Sequence, residues 1–159
     1  MIAETVSAAA DLGAHRIGVL ATTGTLRAQV YQDAVARAVE DIEVVSLLDV
    51  EDHGVSGSDL QELLVMDPVY GPRTPAGRAG GGLKSGLAPG PRTREIVGRL
   101  EEGVRLLKAA RADLVVLGCT ELPIVIRGES QGIRLLDPME VAARVAIELA
   151  AGVRAAPNA

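Results

Sequence analysis

Cys119 is the residue in this chain whose type and position are best suited to chemistry. It is the only cysteine among 159 residues, and it follows directly on the apolar run Leu114 to Gly118. Such a run is typical of a buried parallel strand, and ligands collect at the carboxyl ends of parallel strands. The start of a following helix also favours a thiolate. The sequence therefore predicts a thiol that acts as nucleophile or base, with a buried structural cysteine as the alternative.

Small hydroxyl residues follow two of the predicted strands. The first strand ends in the stretch 21–25 (ATTGT), and the cysteine strand ends in the stretch 118–121 (GCTE). Hydroxyl groups and backbone N–H groups at a helix start can hold a carboxylate or a phosphate. For Thr22 and Thr25, helix capping is an alternative that is compatible with binding. The candidate binding residues beside Cys119 are Thr22, Thr23, Thr25, Thr120 and Glu121.

The elements that must position these residues form an α/β pattern. Strands alternate with amphipathic helices, which is the signature of a parallel sheet. We predict a small four-stranded parallel doubly wound sheet with flanking helices. The predicted strands are 16–21, 42–47, 114–117 and 133–136. Two of the predicted helices span 2–12 and 59–69, and two more begin near Thr25 and near Thr93. A last helix is capped by Asp137, and we expect its buried stripe to be Val141, Val145 and Leu149.

The same pattern suggests how the chain is divided. We expect a leading helix in 1–13, an α/β lobe in 14–136, a C-terminal crossing helix in 137–152 and a loose tail in 153–159. Within the lobe, glycine and proline are so dense in 71–91 that we expect no regular element there. A loop of this length is either a functional lid or a linker.

Composition excludes several classes of function. The net charge is −5 and the aromatic residues are two Tyr, which disfavours both phosphate-backbone contacts and base stacking. No apolar run is long enough to span a membrane. One Cys and two distant His, His15 and His53, provide neither an internal disulfide nor a zinc site, which fits a reducing cytoplasm. No dinucleotide fingerprint follows a predicted strand, and the Gly77 to Ser85 segment fails the P-loop spacing, so we expect no cofactor and no metal.

Four segments resemble the aspartate/glutamate racemase family. The stretch 118–123 (GCTELP) resembles that family's second cysteine motif, and 19–25 (VLATTGT) resembles the opening of its second lobe. Tyr70-Gly71 followed by 83–86 (LKSG) resembles its Tyr-Gly and Lys-containing segment, and 135–138 (LLDP) its closing strand and helix cap. The order and approximate spacing agree over nearly the whole chain. The resemblance is to the second lobe only, since this sequence has no second cysteine and no Cys-Asn-Thr motif.

The resemblance implies a cofactor-independent reaction. In this family two cysteines, one from each lobe, face each other across the substrate α-carbon. Cys119 would be one of the two acid/base groups, and Thr25 and Thr120 would hold a substrate carboxylate. Lys84 would pair with the side-chain carboxylate of a small dicarboxylic amino acid; the alternative for Lys84 is a solvated loop lysine.

Three hypotheses follow for a chain with one such lobe. It is an amino-acid racemase that needs a partner lobe or a dimer, a non-catalytic dicarboxylate-binding remnant, or a single-cysteine isomerase or decarboxylase. Helices 2–12 and 138–152 would lack the lobe on which they pack in the family, leaving an apolar patch exposed. We therefore expect a homodimer or a separate first-lobe partner.

Overall fold

A five-stranded, mostly parallel sheet forms the centre of the molecule. The computed structural model describes residues 1–38, 41–86 and 90–154. The strands are β1 (Arg16–Leu20), β2 (Glu43–Ser46), β3 (Arg73–Thr74), β4 (Gly77–Arg78), β5 (Leu114–Leu117), β6 (Glu129–Ser130) and β7 (Ile133–Leu136). The order in the large sheet is β2-β1-β5-β7-β6, whereas β3 and β4 form a separate hairpin.

The four predicted parallel strands are confirmed. β1 pairs in parallel with β2 on one side and with β5 on the other, and β5 pairs in parallel with β7. The two-residue strand β6 adds an antiparallel edge that the sequence pattern did not indicate. The chain moves outward from β1 to β2, then crosses back to β5 and continues to β7. Strand order therefore reverses between β1 and β5, and this is where an open α/β sheet forms its binding crevice.

Helices cover both faces of the sheet. They are α1 (Ile2–Asp11), α2 (Thr23–Arg27), α3 (Val30–Ala38), α4 (Gly57–Gln61), α5 (Asp67–Tyr70), α6 (Pro91–Ala109) and α7 (Pro138–Ala150), and a π-helical turn (Glu62–Met66) joins α4 to α5. The predicted helix near Thr25 is thus two helices, broken at Gln29, whose φ is 52°. No helix in the described ranges has the length and apolar character that a bilayer crossing requires.

Two apolar clusters make up the core, one on each face of the sheet. On one face α6 contributes Ile96, Leu100, Val104 and Leu107. On the other face α1 and α3 contribute, among others, Val6, Ala9, Ala34 and Val35. Because parallel strands covered on both faces are apolar throughout, β5 is buried at all four positions. The doubly wound architecture is confirmed.

The last helix is capped as predicted but is less buried than predicted. The Asp137 side chain accepts a hydrogen bond from the backbone N–H of Met139 at 2.8 Å. Of the predicted buried stripe, Val141 is buried, whereas Val145 and Leu149 are only partly buried. That part of the prediction is wrong, because α7 packs along α1 and not under a further layer. The division of the chain at 13, 136 and 152 stays a prediction, and 155–159 of the predicted tail lie outside the described residues.

The glycine- and proline-rich segment contains regular structure, contrary to the prediction. β3 and β4 form a tight hairpin, and a 3₁₀ turn comes next at Leu83–Ser85. Gly71 has φ of 88°, and a Cβ there would collide with the carbonyl of Gly80. The glycines allow the hairpin to fold back onto the end of α5 without side chains in the way. This close approach brings the turn carrying Lys84 to the edge of the sheet.

Candidate active site

The candidate site lies where strand order reverses, at the carboxyl ends of β1 and β5. Leu20 and Leu117 are paired in register, and the N–H of Gly118 donates to the carbonyl of Leu20 at 2.8 Å. Thr22 and Cys119 each come two residues after these paired positions. Neighbouring strands are about 4.8 Å apart, so the two loops run side by side.

Cys119 lies buried at the carboxyl end of β5. Its residue exposure is 9%, and its Sγ donates a hydrogen bond to Glu121 Oε2 at 2.9 Å. Burial, and then the hydrogen bond to Glu121, raise the pKa of the Cys119 thiol to about 11. The expectation of a stabilised thiolate is therefore wrong for this structure. The element after β5 is a three-residue 3₁₀ turn (Leu122–Ile124) with no helix dipole of consequence, and the nearest charge is a carboxylate.

Glu121 is the centre of the polar contacts around the thiol. Its Oε2 also lies 3.1 Å from the Thr120 hydroxyl, and its Oε1 is 4.0 Å from Lys84 Nζ. These contacts lower the pKa of Glu121, with the hydrogen bond from Cys119 as the largest cause. At neutral pH the cluster is therefore a neutral thiol beside a carboxylate and an ammonium group.

Lys84 is held over the ring of Tyr70. Its Nζ is 4.9 Å from the ring centroid, which is within the range of a cation–π contact. Interaction with the Tyr70 side chain, and then the charge of Glu121, raise the pKa of Lys84. Nearly half of the lysine side chain remains exposed, so the ammonium group can still meet a ligand.

The threonines after β1 divide between two places. The hydroxyls of Thr22 and Thr25 lie 3.1 Å apart, and Thr22 makes no side-chain capping bond to α2. The capping alternative is thus wrong for Thr22. Thr23 points elsewhere: it lines an open cavity between α2, α4 and the β3–β4 hairpin, and its backbone N–H contacts Met66 Sδ at 3.4 Å. Neither Cys119 nor Lys84 lines that cavity.

Gly118 allows the two loops to meet. A Cβ at this position would lie 2.9 Å from Ala21 Cβ and 3.1 Å from the Tyr31 hydroxyl. Burial raises the pKa of Tyr31 to about 12, so this neighbour stays neutral. A side chain at position 118 would push the cysteine loop away from β1.

Several residues around the site were missed at the sequence level. Gln61 is 1% exposed and donates from Nε2 to the Ala21 carbonyl at 2.8 Å, which fixes the start of the threonine loop. Its Oε1 is buried and has no hydrogen-bond partner. Tyr70, one of two aromatic residues, was visible in the Tyr-Gly segment but was not assigned to the site. For Gln61 no local pattern could have signalled the contact, since it joins residues 40 positions apart.

The described residues include no group of three or more His, Cys, Asp and Glu side chains placed to hold a metal ion. The chemistry that the site itself contains is acid–base chemistry. A thiol, a carboxylate and an ammonium group contact one another in turn, and the Thr120 hydroxyl contacts the carboxylate.

No family model matches the sequence, but several solved structures have a similar fold. A protein provisionally named an Asp/Glu racemase from Yersinia pestis superposes with a TM-score of 0.68 at 19% identity, over 94% of this chain and 55% of that one. The aspartate racemase of Picrophilus torridus gives 0.57 at 18% identity, over 95% and 51%. An aspartate racemase homologue from Pyrococcus horikoshii OT3 gives 0.59 at 23% identity, over 94% and 54%.

The superposition covers nearly all of this chain but only part of each solved structure. Nearly all of this chain superposes, while the chain spans about half the length of the structures it matches. The three solved structures are named as aspartate or Asp/Glu racemases or as a homologue of one, and this chain shares the α/β fold of about half of each.

Proposed function

We propose that this chain is one lobe of a cofactor-independent racemase for a small dicarboxylic amino acid. The observation that carries the proposal is the contact series Cys119, Glu121 and Lys84 at the reversal of strand order. It joins a proton-transfer group and a carboxylate-binding cation in one place. The racemase fold of the structural neighbours supports the same function.

In this proposal, hydroxyl groups and the Lys84 ammonium group bind the two substrate carboxylates on either side of the Cys119 thiol. The hydroxyls of Thr22 and Thr25 come from the β1 loop and that of Thr120 from the β5 loop, so they can hold the α-carboxylate between them. Lys84 would receive the side-chain carboxylate. Glu121 stands 4.0 Å from Lys84, and a bound substrate carboxylate would compete with it for the ammonium group.

Proton transfer can run through Cys119 in either direction. As acid, the neutral thiol gives its proton to the α-carbanion and becomes a thiolate. As base, it must first lose that proton, and Glu121 Oε2, 2.9 Å from Sγ, is the acceptor within reach. The thiolate then takes the α-hydrogen as a proton, and the electron pair stays on the substrate. Hydroxyl and N–H donors around the α-carboxylate stabilise the charge that develops there.

The opposite face of the α-carbon needs a second group. We propose that it comes from a second copy of this chain or from a separate first-lobe chain docked on α1 and α7. A cavity of about 650 Å³ opens between these helices, and it reaches Asp137 at the end of β7, the strand beside β5. Met139 and Ile147 on α7 are 50% and 68% exposed. In this proposal α1 and α7 flank the lobe as docking elements, and the free thiol suits a reducing cytoplasm.

The test is exchange of the substrate α-hydrogen. The purified chain is incubated with L- or D-aspartate, and with L- or D-glutamate, in D₂O, and the α-proton signal is followed by NMR. The matched variant is Cys119→Ser, which keeps the size and hydrogen bonding of the side chain but not its acidity. We expect the wild type to exchange the α-proton and the variant to lose that activity by at least about a hundredfold.

The stereochemistry of the product distinguishes the hypotheses. Exchange with inversion supports a racemase, whereas exchange with retention indicates that Cys119 works alone on one face, as in a single-cysteine isomerase. Dicarboxylate binding without exchange would leave only a binding remnant and would contradict the proposal. Adding a chain that supplies a Cys-Asn-Thr lobe tests whether a missing partner explains low activity.

A further inference from the structure

A second charged cavity lies apart from the Cys119 cluster. Its volume is about 490 Å³, and we call it the arginine cavity. Its lining residues are Thr23, Arg27, Leu48, Ser58, Asp59, Glu62, Met66, Arg73 and Arg78. Cavities of this size commonly hold small molecules.

The acidic side chains of the arginine cavity are already in use. Asp59 Oδ2 accepts from the Ser56 hydroxyl at 2.7 Å within a helix cap. Glu62 Oε1 lies 2.6 Å from Arg78 Nη1, and the same guanidinium group contacts Asp67 at 2.9 Å. Arg78 is thus surrounded by carboxylates. The charges of Glu62 and Asp67 are therefore committed to Arg78.

Unlike Arg78, the other donors of the arginine cavity are not in use. Arg27 and Arg73 have no acidic partner among the residues that the structure describes, and both are exposed to the cavity. The hydroxyls of Thr23 and Ser58 line the same space without a hydrogen bond to the described part of the protein. Two guanidinium groups and two hydroxyls therefore share one opening and lack an acceptor.

The β3–β4 hairpin adds a second, independent indication. Arg73 and Arg78 face each other directly across the two strands. Like charges in directly opposed positions destabilise a strand pair. Glu62 and Asp67 neutralise Arg78, but nothing in the described structure does so for Arg73. An anion in the cavity would relieve this repulsion.

We propose that the arginine cavity binds the carboxylate or phosphate group of a small molecule, held by Arg27 and Arg73 and by the hydroxyls of Thr23 and Ser58. Arginine suits such groups because its planar fork donates two parallel hydrogen bonds to an oxyanion.

The test measures binding directly and does not depend on catalysis. The full chain is titrated at low ionic strength with inorganic phosphate and, separately, with succinate, and the backbone amide shifts of Thr23, Ser58 and Arg73 are followed by NMR. We expect saturable shifts with at least one probe. Arg27→Ala with Arg73→Ala weakens binding at least about tenfold, because two charged hydrogen-bond donors are lost.

Two control variants test whether a loss of affinity comes from the removed guanidinium groups or only from a change in net charge. Arg94→Ala removes an exposed arginine of α6 and leaves the affinity unchanged. Arg27→Lys with Arg73→Lys keeps the charge but not the fork, and it binds with intermediate affinity. Saturation by phosphate alone identifies a phosphate-bearing ligand, and saturation by succinate alone identifies a carboxylate. The absence of saturable shifts with either probe, or equal affinity in the double alanine variant, would overturn the proposal. We expect Cys119→Ser to bind the probe as the wild type does, so a failure of this proposal and a failure of the racemase proposal can be told apart.

Discussion

The protonation of Cys119 is decided by its neighbours and not by its position after a strand. Burial and the Glu121 carboxylate both raise the pKa of the thiol, while the backbone N–H of Glu121 and, more weakly, the charge of Lys84 lower it. In the proposed mechanism, the thiol would hold its proton until a substrate binds. A substrate carboxylate that displaced Glu121 from Lys84 would change the charges around Sγ, so the proposal couples binding to proton transfer.

The raised thiol pKa has a measurable effect on stability. An unfolded cysteine has its pKa near 9, and in the folded chain the pKa is about 11. The contribution of the neutral thiol is fully present below pH 9 and is lost as the pH rises towards 11. At pH 10.5 we expect the wild type to lose about 2 kcal/mol of unfolding free energy through this group, relative to pH 8.

Urea unfolding of the wild type and Cys119→Ser at pH 8 and pH 10.5 measures this loss. Serine does not titrate in the range, so the difference between the two proteins isolates the thiol. Tyr31, whose pKa is raised to about 12 by burial, titrates in both and cancels. Equal losses in the two proteins would show that the thiol is not perturbed.

At the level of elements, the site depends on how two strand ends are held against each other. Gln61, beside the π-helical turn, fixes the Ala21 carbonyl, and Met66 at the end of that turn contacts the N–H of Thr23. Such π-helical turns are frequent at functional sites. On the other side, Gly118 lets the β5 loop approach β1. The loops are therefore positioned by packing from both flanks.

Gly118→Ala tests this positioning. The new Cβ would meet Ala21 and Tyr31, and neither is a flexible side-chain end that can move aside. We expect a loss of about 1–3 kcal/mol in the free energy of unfolding, measured by urea denaturation, together with slower α-proton exchange.

The matched control is Gly98→Ala, on an exposed position inside α6 where a Cβ would have no atom within 4 Å. This substitution should stabilise the chain by about 0.5–1 kcal/mol, because alanine is the better helix former. If Gly118→Ala behaved like the control, the close contact between the loops would not matter for stability.

At the scale of the whole molecule, α7 is an amphipathic helix that is packed against the protein along one side only. It contacts α1, but within α7 only Pro138 and Val141 are buried. The exposed apolar side chains of this 13-residue helix, Met139 and Ile147, are the docking face proposed above. Acidic and basic residues alternate along the groove beside it, including Glu140, Arg144 and Glu148. A two-fold related copy can pair such charges with its own.

Met139→Glu with Ile147→Glu tests the docking face. We expect the wild type to form a concentration-dependent dimer in sedimentation velocity, and the double variant to sediment as a monomer because two charges would be buried in the contact. Val55→Glu, an exposed apolar residue of a distant loop, is the control and should leave the dimer intact. A compact wild-type monomer at all concentrations, with no added partner chain, would contradict self-association.

The fold could largely be predicted because its signals are local. The periodicity of apolar residues marked β1, β2, β5 and β7, and the Asp137-Pro138 pair marked the start of α7. The glycine-rich segment was misread, since glycine density signals both irregular loops and close backbone approach. The hairpin forms there because Gly71 and Gly82 lie directly against other backbone, a contact that residue type alone does not reveal.

The amino-acid sequence by itself determined the alternation of strands and helices and the placing of a thiol and hydroxyl groups at strand ends, since both depend on residue type and spacing. Tertiary structure alone decided the strand order that sets β1 beside β5, the burial that keeps Cys119 protonated, and the uncovered edge of α7. Each of these depends on groups that meet through space, and the free energy of a charge or an apolar face is set by its surroundings.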